Sequence, residues 1–208
     1  NRIVYSGVGK KFSELKFAIN KNVLLINVES ESELNNVEKL AKMFKKKVNI
    51  GLRLNPNIDA KTNTKISTGR MQDKFGLSIS DIIKILKKFK NSLHIKIKCL
   101  SVHIGSQITQ NKPYNKVLIK INKILAKSKF KFEYIDLGGG MGIKYNQNTQ
   151  KLNYSKLSKK ILKFSKKNNC KIIFEPGRSI VGNTAVLLTK VIYIKNSINK
   201  KFIIIDAG

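Results

Sequence analysis

Four short segments hold residue types that can do chemistry: Arg53-Leu54-Asn55-Pro56, Ser101-Val102-His103-Ile104-Gly105-Ser106-Gln107, Asp136-Leu137-Gly138-Gly139-Gly140-Met141-Gly142 and Glu175-Pro176-Gly177-Arg178. Three consecutive glycines have no Cβ to block an approach, so their backbone N–H groups can reach an anion such as a phosphate; a tight turn uses the same run. Arg178 can add a planar charged fork to that anion or close an ordinary ion pair. Glu175 ends a buried-type run, and Pro176 keeps it out of helical geometry. A carboxylate at that depth needs a partner, either Arg178 or a cationic ring nitrogen of a ligand. His103, one of two histidines, can stack on a planar ligand with Ser106 offering a hydroxyl to phosphate, or can be a satisfied core residue. No acidic, Cys or His cluster stands at ligand spacing, so no metal is expected. Cys99 and Cys170 lie far apart and read as two buried thiols in a reducing compartment.

The elements that must position these residues follow from periodicity. Apolar runs at 3–5, 23–28, 48–54, 95–104, 132–137 and 171–174 read as strands, and the stretches at 12–19, 32–45, 81–89, 114–126 and 154–167 have helical spacing with charged outer faces. Ser13, Ser30, Ser32, Ser78 and Ser80 precede or open acidic first turns, as helix starts do. Six strands alternating with five helical stretches predict an α/β fold with a parallel sheet. They fit an open doubly wound sheet or about six units of an eight-fold (β/α)8 barrel, which takes about 250 residues when complete. Both architectures carry function at the C-terminal ends of the strands, where all four segments fall. Beyond Arg178 the pattern becomes β-rich at 185–194, turns at 196–200 and is β-rich again at 202–205, the opening hairpin of a separate β domain. The expected division is therefore 1–182 for the α/β unit and 183–208 for the start of the β domain.

Composition narrows the function classes. The chain has 208 residues, is 41% hydrophobic, and carries 42 basic against 12 acidic side chains for a formal charge of +30. That apolar share supports a real core and excludes a wholly disordered chain. Such a charge ordinarily points to nucleic acid. Only four of the basic residues are Arg, however, while Ile occurs 29 times and Asn 22 times. Lys, Ile and Asn share A/T-rich codons, so mutational bias accounts for the charge and no nucleic-acid partner is expected. No segment approaches the apolar length of a membrane span and no secretory h-region opens the chain, so a cytoplasmic protein without a membrane partner is expected. The chain starts and stops in strand-like stretches and reads as the interior of a longer protein.

Together these motifs resemble the fold-type III pyridoxal-phosphate decarboxylases, in their diaminopimelate branch. The resemblance runs through Gly7-Val8-Gly9-Lys10, Ile26-Asn27-Val28-Glu29-Ser30, Arg53-Leu54-Asn55-Pro56, Ser67-Thr68-Gly69, Lys74-Phe75-Gly76, His103 to Gln107, the triple glycine, Glu175 to Arg178 and Asp206-Ala207-Gly208. It implies an eight-stranded barrel followed by a β domain, a homodimer, pyridoxal 5'-phosphate as cofactor, and conversion of meso-diaminopimelate to L-lysine. It further implies that Ser106, Gly138, Gly139, Gly140, Pro176, Gly177 and Arg178 bind the cofactor. In that scheme His103 stacks on the ring, Glu175 pairs with the pyridine nitrogen, and Arg178 also meets the substrate. Arg53 becomes an inward-pointing support. Related racemases carry Arg opposite that nitrogen, so Glu175 favours decarboxylation. The family's Schiff-base lysine is expected before Asn1, because Lys10 does not match its motif, and further substrate residues are expected after Gly208. On this reading the 208 residues alone are inactive. The rival readings are a decarboxylase of the same fold acting on ornithine, arginine or carboxynorspermidine, a basic nucleic-acid-binding module, and a cofactor carrier without catalysis.

Overall fold

Each apolar run becomes a strand and each amphipathic stretch a helix in the computed structural model, which describes residues 2–60, 68–70, 72–147 and 149–207. Ser67 and Gly208 of the motifs above lie outside the described residues. The first six strands are β1 (Val4–Tyr5), β2 (Leu25–Val28), β3 (Val48–Leu54), β4 (Ile95–Val102), β5 (Tyr134–Asp136) and β6 (Lys171–Ile173). Between them run α1 (Phe12–Asn20), α2 (Glu31–Met43), α3 (Ile79–Lys88), α4 (Asn111–Ser128) and α5 (Tyr154–Asn168). The short α6 (Arg178–Val181) and the hairpin of β7 (Val191–Ser197) and β8 (Lys200–Ile205) follow.

The six strands pair in sequence order, all parallel. Five steps across a flat sheet would set β1 and β6 about 24 Å apart. Yet the Ser6 hydroxyl, just past β1, donates to Glu175 Oε1, just past β6, at 2.6 Å. The sheet is therefore curled into part of a (β/α)8-type barrel rather than open. Helices cover its outer face, where Leu15, Ile19, Leu34, Val37, Leu40, Ile82, Ile85, Val117, Ile121, Ile161 and Phe164 pack against Ile26, Val28, Ile50, Leu52, Leu100 and Ile135. The buried polar residues Asn27, Glu29, Arg53, Ser101 and Asp136 alternate with those outward residues along β2 to β5, so they face the interior.

Local chemistry explains the boundaries. Ser30 and Ser78 accept the amides of Glu33 and Asp81 and cap α2 and α3. Ser13 lies inside the first turn of α1, whose N-cap is Lys11, two residues earlier, with its own amide taken by Glu14 Oε2 at 2.7 Å. The β7 strand begins at Val191, opposite Ile205, and not at 185, with the Asp206 amide also reaching the Lys190 carbonyl at 3.1 Å. No helix among the described residues is long and apolar enough to cross a membrane.

Candidate active site at the strand ends

His103 leaves the end of β4, and its backbone carbonyl is tied by the Thr68 hydroxyl at 3.0 Å. The Gly139 amide donates to its Nδ1 at 3.1 Å, which makes Nδ1 an acceptor and puts the proton of the neutral ring on Nε2. Burial, aided by the positive charge of Arg53, lowers its pKa from the ordinary imidazole value, against the pull of Glu175.

That amide can reach the ring because residue 138 has no side chain: a Cβ at Gly138 would stand 2.8 Å from His103 Nδ1, and one at Gly139 would collide with the Glu175 carbonyl. The triple glycine thus packs directly against His103, just past β4, and Glu175, just past β6. The Tyr114 hydroxyl holds the Gly139 carbonyl at 2.8 Å, and the loops after β4 and β5 are stitched by Ile108 N to Gly140 O and Gly142 N to Ile108 O. Gln107 clamps both backbone groups of Ile143. Ser106 lies half-buried in the first of these loops. Among the described residues the amides of Gly140 and Gly177 donate to no protein acceptor. A Cβ at Gly177 would meet nothing within 4 Å. Pro176 and Gly177 are exposed.

Glu175 and Arg178 do not pair. Glu175 Oε1 accepts from Ser6, and its Oε2 receives no donor among the described residues. Arg178 turns to Tyr145 instead, with Nη1 3.1 Å from the phenol oxygen and the guanidinium 5.8 Å over the ring. Of the two partners considered for Glu175, the ion pair with Arg178 is the one the structure removes. Arg53 is buried, donates to Glu29 Oε1 at 2.7 Å and stacks 4.9 Å over Phe75.

Below these residues lies a polar layer to which the sequence reading assigned no role. Asn27 Nδ2 stands 3.0 Å from Ser6 Oγ, 3.0 Å from Asp136 Oδ2 and 3.3 Å from Ser101 Oγ. The available signal was a single Asn, Ser or Asp interrupting an otherwise apolar strand. The Lys10 ammonium is nearly inaccessible and is spent on the carbonyls of Gly7 and Asn27 and on Glu33 at 2.5 Å, fixing the loop after β1 to the end of β2.

Part of a barrel with an amide-rich cradle, a histidine whose Nδ1 accepts a hydrogen bond, and a carboxylate oxygen without a donor among the described residues belongs to the class of α/β barrels that present polar groups at their strand ends. Residues 1–182 match the model of the pyridoxal-dependent decarboxylase pyridoxal-binding domain, and the chain belongs to that family. It is 38% identical, along its whole length, to the diaminopimelate decarboxylases of Zymomonas mobilis subsp. mobilis and of Aquifex aeolicus. Each match takes in half of the relative, so the chain spans about half the length of the curated proteins it resembles. Among solved structures, the Helicobacter pylori diaminopimelate decarboxylase complexed with L-lysine superposes with a TM-score of 0.89 at 38% identity, over 99% of this chain and 52% of that one. The M. jannaschii enzyme in co-complex with L-lysine gives 0.83 at 34% identity, over 99% and 50%.

Proposed function

We propose that the full-length protein removes one carboxylate from meso-diaminopimelate to give L-lysine, with pyridoxal 5'-phosphate, as a cytoplasmic homodimer. The observation that carries the reaction class is Glu175, a carboxylate at a strand end with one oxygen held by Ser6 and the other without a donor among the described residues. The substrate follows from whole-length likeness to proteins named diaminopimelate decarboxylase, and the dimer from the resemblance alone. The donor set fits the cofactor: two unpartnered glycine amides, the Ser106 hydroxyl and the Arg178 guanidinium suit a phosphate dianion. The open space at Gly177 admits it.

Bound there, the cofactor supplies an electron sink for the pair left behind when carbon dioxide departs. Glu175 Oε2 would hold a proton on the ring nitrogen, since an adjacent carboxylate favours the cationic form of a base. His103, kept neutral and fixed by the Gly139 amide, would lay its flat face on the ring. Glu29 locks Arg53, whose charge stands behind His103 and discourages its protonation. Gly138, Gly139, Pro176 and Gly177 would shape the cradle. Arg178, half-buried and held among the described residues by Tyr145, would take the phosphate and a substrate carboxylate.

The test is carbon dioxide release by the full-length protein supplied with meso-diaminopimelate, ornithine or arginine. The expected result is preference for meso-diaminopimelate with L-lysine as product; preference for either other amino acid overturns the substrate assignment. Glu175→Gln is expected to lower kcat by about 10², and an unchanged kcat removes the role given to Glu175.

A further inference from the structure

The interior polar layer is ordered around one amide. The two shortest contacts of Asn27 Nδ2, to Ser6 Oγ and Asp136 Oδ2 at 3.0 Å each, use both hydrogens of one amide. With its oxygen accepting from Asn27, Ser6 turns its single O–H elsewhere, and that hydrogen goes to Glu175 Oε1 at 2.6 Å. Asp136 therefore accepts from Asn27, Asn27 donates to Ser6, and Ser6 donates to Glu175. A reversed amide would set Asn27 Oδ1 against the Asp136 carboxyl and let Ser6 donate to Asn27 instead of Glu175. The other face of Asp136 is fixed as well: Ser101 donates to Oδ2 at 3.2 Å and the Gly138 amide to Oδ1 at 2.9 Å. Asn27 Oδ1 is left buried without a hydrogen-bond partner, in space that a Cβ at Gly51 would occupy. A buried unpartnered carbonyl is costly, so this orientation is held by the donors on the amide's other side.

We propose that Ser6, Asn27 and Asp136 are positioning residues for Glu175, forming a hydrogen-bond relay across the barrel interior in which the Asn27 amide, anchored on Asp136, donates to Ser6 and Ser6 donates on to Glu175, fixing Oε1 and leaving Oε2 for the ring nitrogen. The proposal rests on the reading of Glu175 as the nitrogen's partner. The physical need is plain: the last torsion of a glutamate is a broad, roughly two-fold well, so an untethered carboxyl turns freely. The relay spans four strands, with Ser6 after β1, Asn27 on β2, Asp136 on β5 and Glu175 after β6. It joins two carboxyls through a neutral amide and a neutral hydroxyl instead of setting them in contact.

The experiment uses the full-length holoenzyme with Ser6→Ala, Ser6→Thr, Asn27→Leu and Glu175→Gln. Ser6→Ala removes one hydroxyl, and the expected result is a kcat about tenfold lower with KM unchanged. The pH at which the bound cofactor's absorbance titrates is expected to fall, because the ring nitrogen loses its fixed partner. Ser6→Thr is expected to restore both. Asn27→Leu is expected to act in the same direction and not to add to Ser6→Ala; if Asn27→Leu does not fold, the Ser6 pair decides alone. Wild-type kcat and spectrum in Ser6→Ala, alongside an impaired Glu175→Gln, overturn the relay while leaving Glu175 its role. A silent Glu175→Gln brings down that role and the relay together.

Discussion

Burial in the barrel interior, reinforced by the negative charge of Glu175, raises the Asp136 carboxyl from 3.8 to about 6, although Gly138, Asn27 and Ser101 all donate to it. A raised folded-state value means that the native state binds the proton more tightly than the unfolded chain. The resulting stability is full below about pH 4 and is lost as pH rises through about 6. Asp136→Asn is expected to flatten that part of the profile, read as a smaller drop in urea midpoint between pH 4 and pH 7 than the wild type shows. Gly139→Ala offers a steric counterpart. Its Cβ collides with the Glu175 carbonyl, and overpacking of this kind costs about 1–3 kcal/mol. The expected outcome is a lower thermal midpoint together with weaker binding of pyridoxal phosphate, read by absorbance titration. At this scale the sequence marks His103, Glu175, Arg178 and the glycines as candidates, because chemistry-bearing residue types cluster there beside Gly and Pro. Ser6, Asn27 and Asp136 received no role. Each is one polar residue in a short apolar run, and the Asn27–Asp136 contact joins positions 109 residues apart.

At the scale of elements, helices were legible wherever the 3.6-residue stripe and a capping serine agreed, as at Ser30 and Ser78. Ser30→Ala is expected to destabilise the fold by about 1 kcal/mol, measured by chemical denaturation. Ser13→Ala, at a serine with no capping bond, is expected to leave stability within about 0.5 kcal/mol. Ser13 and Glu14 fall in the first turn as expected, but the capping bond there is made by the Glu14 carboxylate on the Lys11 amide and not by a serine. Strand limits depended on partners, as where β7 pairs with β8 from Val191 opposite Ile205, which composition does not encode.

Across the whole molecule, charge and topology separate. A formal +30 on 208 residues repels itself. Ion pairs such as Lys88–Glu31 and Lys98–Glu133 offset little of it, since exposed pairs are weak. Raising sodium chloride from low levels to about 0.5 M is expected to raise the thermal midpoint, because screening weakens repulsion between exposed lysines; a midpoint that falls with salt would show that the pairs outweigh the repulsion. By itself the sequence determined the strand–helix alternation, the parallel sheet and the gathering of His103, the triple glycine and Glu175 at one end of the strands. These are properties of local period and chain direction. Tertiary structure alone decided between an open sheet and a curled one, separated Arg178 from Glu175, and joined Ser6 to Glu175 at 2.6 Å. Curvature accumulates from small twists at every strand pair, so it brings together residues from the two edges of the sheet that no short-range pattern relates.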